Sequence, residues 1–286
     1  MKKRLITAIV ALILFIPVLI FSDTWALPIA ASAAAVIACF EMFSCIGQKK
    51  NLVFTIPTYI LAAFFPIFAR VASSCFSFTA NYSFIKYALA AAIIAPLYMF
   101  SVAVFQTKKL CVTDAALAAF ACFYIIAAFT CLVYIHDFAY LGKHIYLLCF
   151  ICAWVTDTFA YFTGMLFGKH KLIPEVSPKK TIEGAIGGVV FCSISMVIFG
   201  LIIETFFNPE NSFHANYLVL ALSGIAISAI SQTGDLIMSL IKRKYQIKDY
   251  GKIFPGHGGV LDRCDSVIAV SLAIAFITSY FNMFTV

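Results

Sequence analysis

The feature that most constrains the fold is a series of apolar runs, each about as long as a membrane-crossing helix. About 20 apolar residues span the hydrocarbon core of a bilayer, which is roughly 30 Å thick. Hydrophobic residues make up 63% of the 286 residues and charged residues only 12%, so a soluble domain of ordinary composition is excluded. The sequence therefore predicts an all-α, polytopic integral membrane protein.

The apolar windows predict nine transmembrane helices joined by short loops. The first run is longer than the 7–15 residues typical of the apolar region of a signal peptide, so we expect it to be a retained span. The expected spans are 5–21, 25–46, 52–72, 84–105, 111–135, 145–167, 182–207, 217–241 and 264–284.

The basic residues predict the orientation of these spans. With nine spans and the N-terminus inside, 17 of the 20 Lys and Arg residues fall in cytoplasmic segments, and only Arg70, Lys86 and Lys143 fall outside. Cytoplasmic loops carry such an excess of basic residues. We therefore interpret the net charge of +7 as a topology signal, with no nucleic acid as a partner and with the C-terminus outside.

Acidic residues divide the chain unevenly. Only Asp23, Glu41 and Asp114 precede residue 136, whereas the other ten acids follow it. We interpret residues 1–135 as scaffold helices, in which no chemistry is expected. Residues 136–286 are expected to form the catalytic region of the same integrated membrane domain.

Several acids are expected at one membrane depth. An Asp at the centre of a membrane helix costs about 3 kcal/mol, so it normally faces a cavity, an ion or a polar partner. Asp157 shares a helical face with glycines, and Asp235 belongs to a polar stripe typical of a helix that faces water. For Asp157, a structural hydrogen bond to a neighbouring helix remains an alternative. Asp262 and Asp265 lie three residues apart, and this concentration of acids suits a hard cation such as Mg²⁺.

Two basic segments are candidates for phosphate binding. The first leads into the sequence Pro-Gly-His-Gly-Gly at 255–259, where glycines would let backbone amides approach an anion. In the second, Ser177 is expected to cap a helix that has Pro178 at its first position. Further along that helix, Gly184 and Gly188 are expected to allow close contact with a neighbouring helix.

Together these residues resemble the phosphatidate cytidylyltransferases, also called CDP-diacylglycerol synthases. The resemblance is carried by residues 239–265, which read SLIKRKYQIKDYGKIFPGHGGVLDRCD. The segments around Asp157 and Ser177 extend it to about residues 150–286, whereas the first half agrees only in being helical.

The resemblance implies that the cytidylyl group of CTP is transferred to phosphatidic acid, giving CDP-diacylglycerol and pyrophosphate. It implies that Asp235, Asp262 and Asp265 bind Mg²⁺, in a single or a dinuclear site with a second cation, with Asp157 as a weaker candidate. Lys248 and His257 join the three aspartates as expected catalytic residues. The expected substrate-binding residues are Ser177, Lys179, Lys180, Thr181, Lys242, Arg243, Asp249, Gly258, Gly259 and Arg263.

The expected partners are CTP, phosphatidic acid and the lipid bilayer, with a homodimer left open. The expected location is a bacterial inner or plasma membrane, with the active site facing the cytoplasm. Two other functions are alternatives: a CTP-dependent kinase of lipid alcohols, and a transporter coupled to cations or protons, in which Asp157 and Asp235 would mark an ion path. The long match at 239–265 argues against the first, and a transporter does not need the glycine-rich loop.

The charge distribution makes a prediction about topology. A protease-cleavable tag at the N-terminus or within residues 242–263 should be protected from added protease in right-side-out vesicles. A tag after residue 286 should be cleaved. Inverted vesicles provide the control, because the pattern should reverse. Both termini on one face of the membrane would contradict the nine-span topology.

Overall fold

The computed structural model describes residues 2–74, 78–208, 212–256 and 258–285, without the side chains of residues 2–9 and 78–83. The structure is 76% helical. The helices of the described chain are α1 Lys2–Ile20, α2 Ala26–Cys45, α3 Leu52–Ser74, α4 Phe78–Phe105, α5 Val112–Phe138, α6 Gly142–Ile145, α7 Leu148–Phe167, α8 Ile182–Phe206, α9 Tyr217–Lys244 and α10 Leu261–Tyr280.

Seven segments of the described chain are long and apolar enough to cross a membrane. They are α2, α3, residues 84–105 of α4, α5, residues 142–167, α8 and α9. The chain is thus a helical, multi-pass membrane protein, as predicted. The first and last predicted spans correspond to α1 and α10, which are helical but are not among these seven. The count of nine spans and the orientation stay predictions.

The prediction of an all-α fold was incomplete, because two short antiparallel sheets are also present. Strand β1 (Lys171–Ile173) pairs with β2 (Ser177–Thr181), and β3 (His214–Ala215) pairs with β4 (Phe284–Thr285). The expected helix start at Ser177 was therefore wrong. Ile173 and Ser177, which pair with each other, each precede a proline, and a residue before proline is restricted to extended conformations.

Packing divides the chain into two compact units. Unit 1 contains Met1–Phe138 and Lys244–Cys264, and unit 2 contains Ala139–Arg243 and Asp265–Val286. These units are defined by contacts alone, so the functional division after residue 135 stays a prediction.

In unit 1, helices α2, α3 and α5 pack against one another. Small side chains such as Ala35, Ala38 and Ala62 are fully buried in this core and let the helices approach closely. Arg70 of α3 is buried as well. Its guanidinium group donates to the carbonyl oxygens of residues 22, 23 and 24, and its Nε lies 2.7 Å from Asp137 Oδ2. These partners explain how Arg70 is tolerated although the predicted topology places it on the outer side of the membrane, where basic residues are few.

In unit 2, α7 and α8 form the most extensive helix contact, and glycines make it possible. A Cβ atom on Gly188 would lie 3.0 Å from the carbonyl oxygen of Thr156, and one on Gly184 would lie 2.6 Å from that of Ala160. The expected close contact through Gly184 and Gly188 is confirmed. Gly164 and Gly168 of the same region leave room for the side chain of Thr181, the residue that precedes α8.

Gly184→Ala should therefore destabilise the protein, although alanine favours helices more than glycine does. The added methyl group meets backbone and Thr181 rather than flexible side chains, so we expect a loss of about 1–3 kcal/mol. Thermal unfolding in detergent measures the effect. Val190→Ala, on the exposed side of α8, is the matched control and should change little. Equal stability of Gly184→Ala and wild type would contradict the proposed tight contact.

Candidate active site

Unit 2 contains a group of acidic side chains, which we call the carboxylate cluster: Asp157 of α7, Asp235 of α9 and Asp265 of α10. Asp235 forms an ion pair with Lys180 of β2, and both side chains are about one-quarter exposed, at 23% and 26%. The carboxyl groups of Asp235 and Asp265 lie within hydrogen-bonding reach of each other. Two such groups share a proton or hold a cation between them, because two negative charges this close repel.

Asp157 is a neighbour of the Asp235–Asp265 pair. It accepts a hydrogen bond of 3.0 Å from the hydroxyl group of Ser266 in α10, and the charges of Asp235 and Lys180 both act on it. The hydrogen bond supports the structural alternative for Asp157, and the neighbouring charges keep it within the candidate site.

The polar stripe of α9 fixes the position of Asp235. Thr156 of α7 donates to Ser228 Oγ at 3.1 Å, and Gln232 Nε2 donates to the carbonyl oxygen of Ala185 in α8 at 3.1 Å. Ser228 and Ser231 are fully buried. At these positions the interpretation of a helix face exposed to water was wrong, because the stripe holds α9 against α7 and α8. Further along α9, Asp235 is half-buried, so only there is a helix face exposed to water still supported.

The substrate-binding residues predicted in unit 2 differ in their surroundings. Lys179 is exposed, and Ser177 and Lys242 are half-buried. Arg243 is also exposed, and its Nε donates to the carbonyl oxygen of Val176 at 3.3 Å. Thr181 is buried, and its hydroxyl oxygen accepts from Gly184 N at 3.1 Å, so it caps α8 in the place expected for Ser177.

Asp262 belongs to unit 1, where it binds backbone. Its Oδ2 atom accepts from Tyr250 N at 2.7 Å and from Gly259 N at 3.0 Å, and the residue is only 8% exposed. These bonds join the two ends of the segment made of residues 250–256 and 258–262, which we call the glycine loop. The structure thus gives Asp262 a loop-holding role that the sequence did not indicate, while its expected role as a metal ligand stays a prediction.

The glycines of this loop shape it rather than offer amides to an anion. Gly258 has φ +90°, a left-handed conformation that favours glycine, and its N–H donates to the carbonyl oxygen of Phe254 at 3.1 Å. The N–H of Gly259 is taken by Asp262. The expected approach of these amides to a phosphate is therefore not supported. His257 lies outside the described residues.

Basic side chains near this loop face outward. Lys248 and Arg263 are exposed, as is Asp249 beside Lys248. Lys252, which the sequence analysis did not single out, is exposed within the loop itself. The loop therefore combines a fixed backbone with an exposed basic surface.

Two acids in the presumed scaffold also bind this region, and sequence reasoning missed both. Glu41 accepts from the amides of Val260 and Leu261, and Asp114 accepts a 2.6 Å hydrogen bond from the hydroxyl group of Tyr245. Burial and the Asp114 carboxylate both raise the pKa of Tyr245. The signal was available for Glu41, because the cost of a carboxylate at membrane depth applies to it as it does to Asp157.

A magnesium site needs oxygen ligands, and the structure supplies fewer than expected. Among the described residues, no three acidic, histidine or cysteine side chains are arranged to hold a metal ion. Asp235 and Asp265 provide two carboxylates, which fits Mg²⁺ because this ion is commonly held by one or two carboxylates together with substrate phosphates.

Comparison with known proteins gives the family. The model of the cytidylyltransferase family matches residues 2–281. The chain belongs to this family. It is therefore an enzyme, a nucleotidyltransferase, and the resemblance predicted from residues 150–286 is confirmed and extends through the first half as well.

Curated relatives carry a more specific name. The chain is 36% identical to the phosphatidate cytidylyltransferase of Staphylococcus haemolyticus (strain JCSC1435) over 270 residues, which cover 94% of this chain and 96% of the relative. It is 31% identical to that of Bacillus subtilis (strain 168) over 283 residues, which cover 99% of each chain. The similarity therefore includes both units.

The Lys180–Asp235 ion pair makes a testable prediction. Lys180→Gln leaves a partly buried carboxylate without its cation and should cost about 1–3 kcal/mol. Combining it with Asp235→Asn should restore part of that loss, because the double variant has no unbalanced charge. Thermal unfolding in detergent without Mg²⁺ gives the four values of the cycle. Lys179→Gln, at the exposed neighbour, is the control, and strictly additive losses would contradict the pairing.

Proposed function

We propose that this protein transfers the cytidylyl group of CTP to phosphatidic acid, releasing pyrophosphate and leaving CDP-diacylglycerol for phospholipid synthesis. The observation that carries the proposal is the end-to-end similarity to relatives named phosphatidate cytidylyltransferase. The carboxylate cluster and the exposed basic residues add chemical support, because the reaction brings two phosphate-bearing substrates together.

The chemistry requires little activation of the nucleophile. The attacking atom is a phosphate oxygen of the lipid, which is already anionic at neutral pH, so no side chain has to remove a proton from it. The enzyme must instead bring two anions together and stabilise charge at the α-phosphate. We therefore assign Lys248 to phosphate binding and not to general-base catalysis.

Asp235 and Asp265 would hold Mg²⁺, with Asp157 beside them. When bound, this ion would supply positive charge to the phosphate groups. Lys180 would hold Asp235 in place and offset part of the negative charge of the cluster. A second cation and a ligand role for Asp262 remain proposals supported by the sequence resemblance alone.

Exposed basic residues would bind the phosphates of CTP and of the lipid. Lys179 in unit 2 and Lys248 in unit 1 are exposed, and a charge-assisted hydrogen bond from either lysine would position a phosphate oxygen. Arg243 is likewise exposed in unit 2, and Arg263 in unit 1. We place these groups on the cytoplasmic side of a bacterial membrane, in agreement with the distribution of Lys and Arg along the chain.

The proposal is tested with purified protein, CTP, Mg²⁺ and phosphatidic acid in mixed micelles. Pyrophosphate should appear only with phosphatidic acid, and replacing this lipid with diacylglycerol should abolish the signal. Pyrophosphate release independent of phosphatidic acid, or its absence under all conditions, would contradict the proposed function.

The carboxylate pair predicts a specific defect. Asp235→Asn and Asp265→Asn keep the size of the side chain and remove its charge, so each should lower kcat about 100-fold or more and raise the Mg²⁺ concentration needed for half-maximal rate. Glu175→Gln, at an exposed position between β1 and β2, is the matched control and should behave as wild type. An Asp265→Asn variant with normal turnover at limiting Mg²⁺ would remove Asp265 from the ligand set.

A further inference from the structure

Glu41 is a buried carboxylate in α2, a membrane-spanning helix of unit 1. It is only 2% exposed. A carboxylate in such a place is costly unless hydrogen-bond donors surround it, so its partners indicate what it is for. Those partners come from the glycine loop and the start of α10.

The two carboxylate oxygens of Glu41 bind two successive backbone amides. Val260 N donates to Oε1 at 3.1 Å, and Leu261 N donates to Oε2 at 2.8 Å. Helix α10 begins at Leu261, and the preceding residue is a valine, whose side chain cannot accept a hydrogen bond. Glu41 thus accepts from the amide of the first residue of α10 and from the amide before it, neither of which has an acceptor within the helix. Its negative charge also suits the positive end of the helix dipole.

The glycines of the loop give independent support for this contact. A Cβ atom on Gly259 would collide with the Glu41 carboxylate, whose atoms are its three nearest neighbours. Gly259 lacks the left-handed backbone seen at Gly258, so backbone conformation does not require glycine there. A Cβ atom on Gly251 would also meet Glu41 Oε1. The loop therefore approaches Glu41 at both of its ends.

We propose that Glu41 is a positioning residue for the use of CTP. It holds the glycine loop from the inside, so that Lys248 and Lys252, exposed on the outside, present their charges to the nucleotide phosphates in a fixed arrangement. The proposal rests on the function proposed above. It assigns a role in substrate binding to a residue in the half of the chain that the sequence indicated as scaffold.

Kinetics of Glu41→Gln separate positioning from a general loss of structure. The amide keeps the size of the side chain but turns an N–H donor toward one of the two backbone N–H groups. We expect KM for CTP to rise at least fivefold while KM for phosphatidic acid stays within twofold of wild type. Glu41→Asp, which keeps the charge but is one methylene shorter, should fall between Glu41→Gln and wild type. An unchanged KM for CTP, or equal rises in both KM values, would overturn the positioning role.

A double-mutant cycle tests the contact itself by thermal unfolding in detergent. Gly259→Ala should lower the unfolding temperature clearly in wild type and much less in the Glu41→Ala background, where the colliding carboxylate is gone. Gly258→Ala is the control: its left-handed conformation and its contact with Asp262 make it costly in both backgrounds. If the Glu41→Ala background does not fold, Glu41→Asp replaces it, because the shorter side chain also withdraws from Gly259.

Equal losses from Gly259→Ala in both backgrounds would overturn the proposed contact. The cycle needs no substrate, so it distinguishes failure of this inference from failure of the proposed function. If wild type released no pyrophosphate with phosphatidic acid, the proposed function and the role of Glu41 in CTP use would both fail. The thermal cycle would still decide whether Glu41 holds the loop.

Discussion

The structure depends on how carboxylates that are buried or half-buried find polar partners, because a buried charge without partners is costly. In unit 1, Glu41 and Asp262 each bind two backbone amides, and these bonds fix the glycine loop. In unit 2, Lys180 pairs with Asp235, and Ser266 donates to Asp157. The carboxylates of unit 1 determine the shape of the backbone that they bind, whereas Asp235 and Asp265 of unit 2 are the pair at which we propose that a cation binds.

The helices that carry these carboxylates pack differently in the two units. Unit 1 packs small residues between α2, α3 and α5, and Glu41 of α2 binds the glycine loop. Unit 2 packs α7 against α8 through glycines, and the cap of α8 is the residue that follows Lys180. Glu41 in unit 1 and Asp157 in unit 2 thus lie on helices whose close approach the sequence encodes in Ala and Gly.

Much of the fold was predictable because apolar length and 3.6-residue periodicity act locally. The nine expected spans correspond to helices, although in the described part of the chain seven segments are long and apolar enough to cross a membrane. The hairpin at 171–181 was missed because Pro178 was interpreted as the first residue of a helix, whereas a proline holds the residue before it extended. Asp235 and Lys180 were predicted as site residues, but their pairing was not. Glu41 was missed because the first half was interpreted as scaffold. Its cost in an apolar helix was visible, but its partners were not, because they lie 219 and 220 residues away.

The most direct test of the account follows the phosphorus atoms of CTP. CTP labelled with ³²P at the α-phosphate should transfer its label to the lipid fraction, and CTP labelled at the γ-phosphate should transfer it only to pyrophosphate. This outcome requires attack at the α-phosphate, as cytidylyl transfer demands. Label from the γ-phosphate in the lipid fraction would mean phosphoryl transfer, and it would contradict the reaction proposed for this protein.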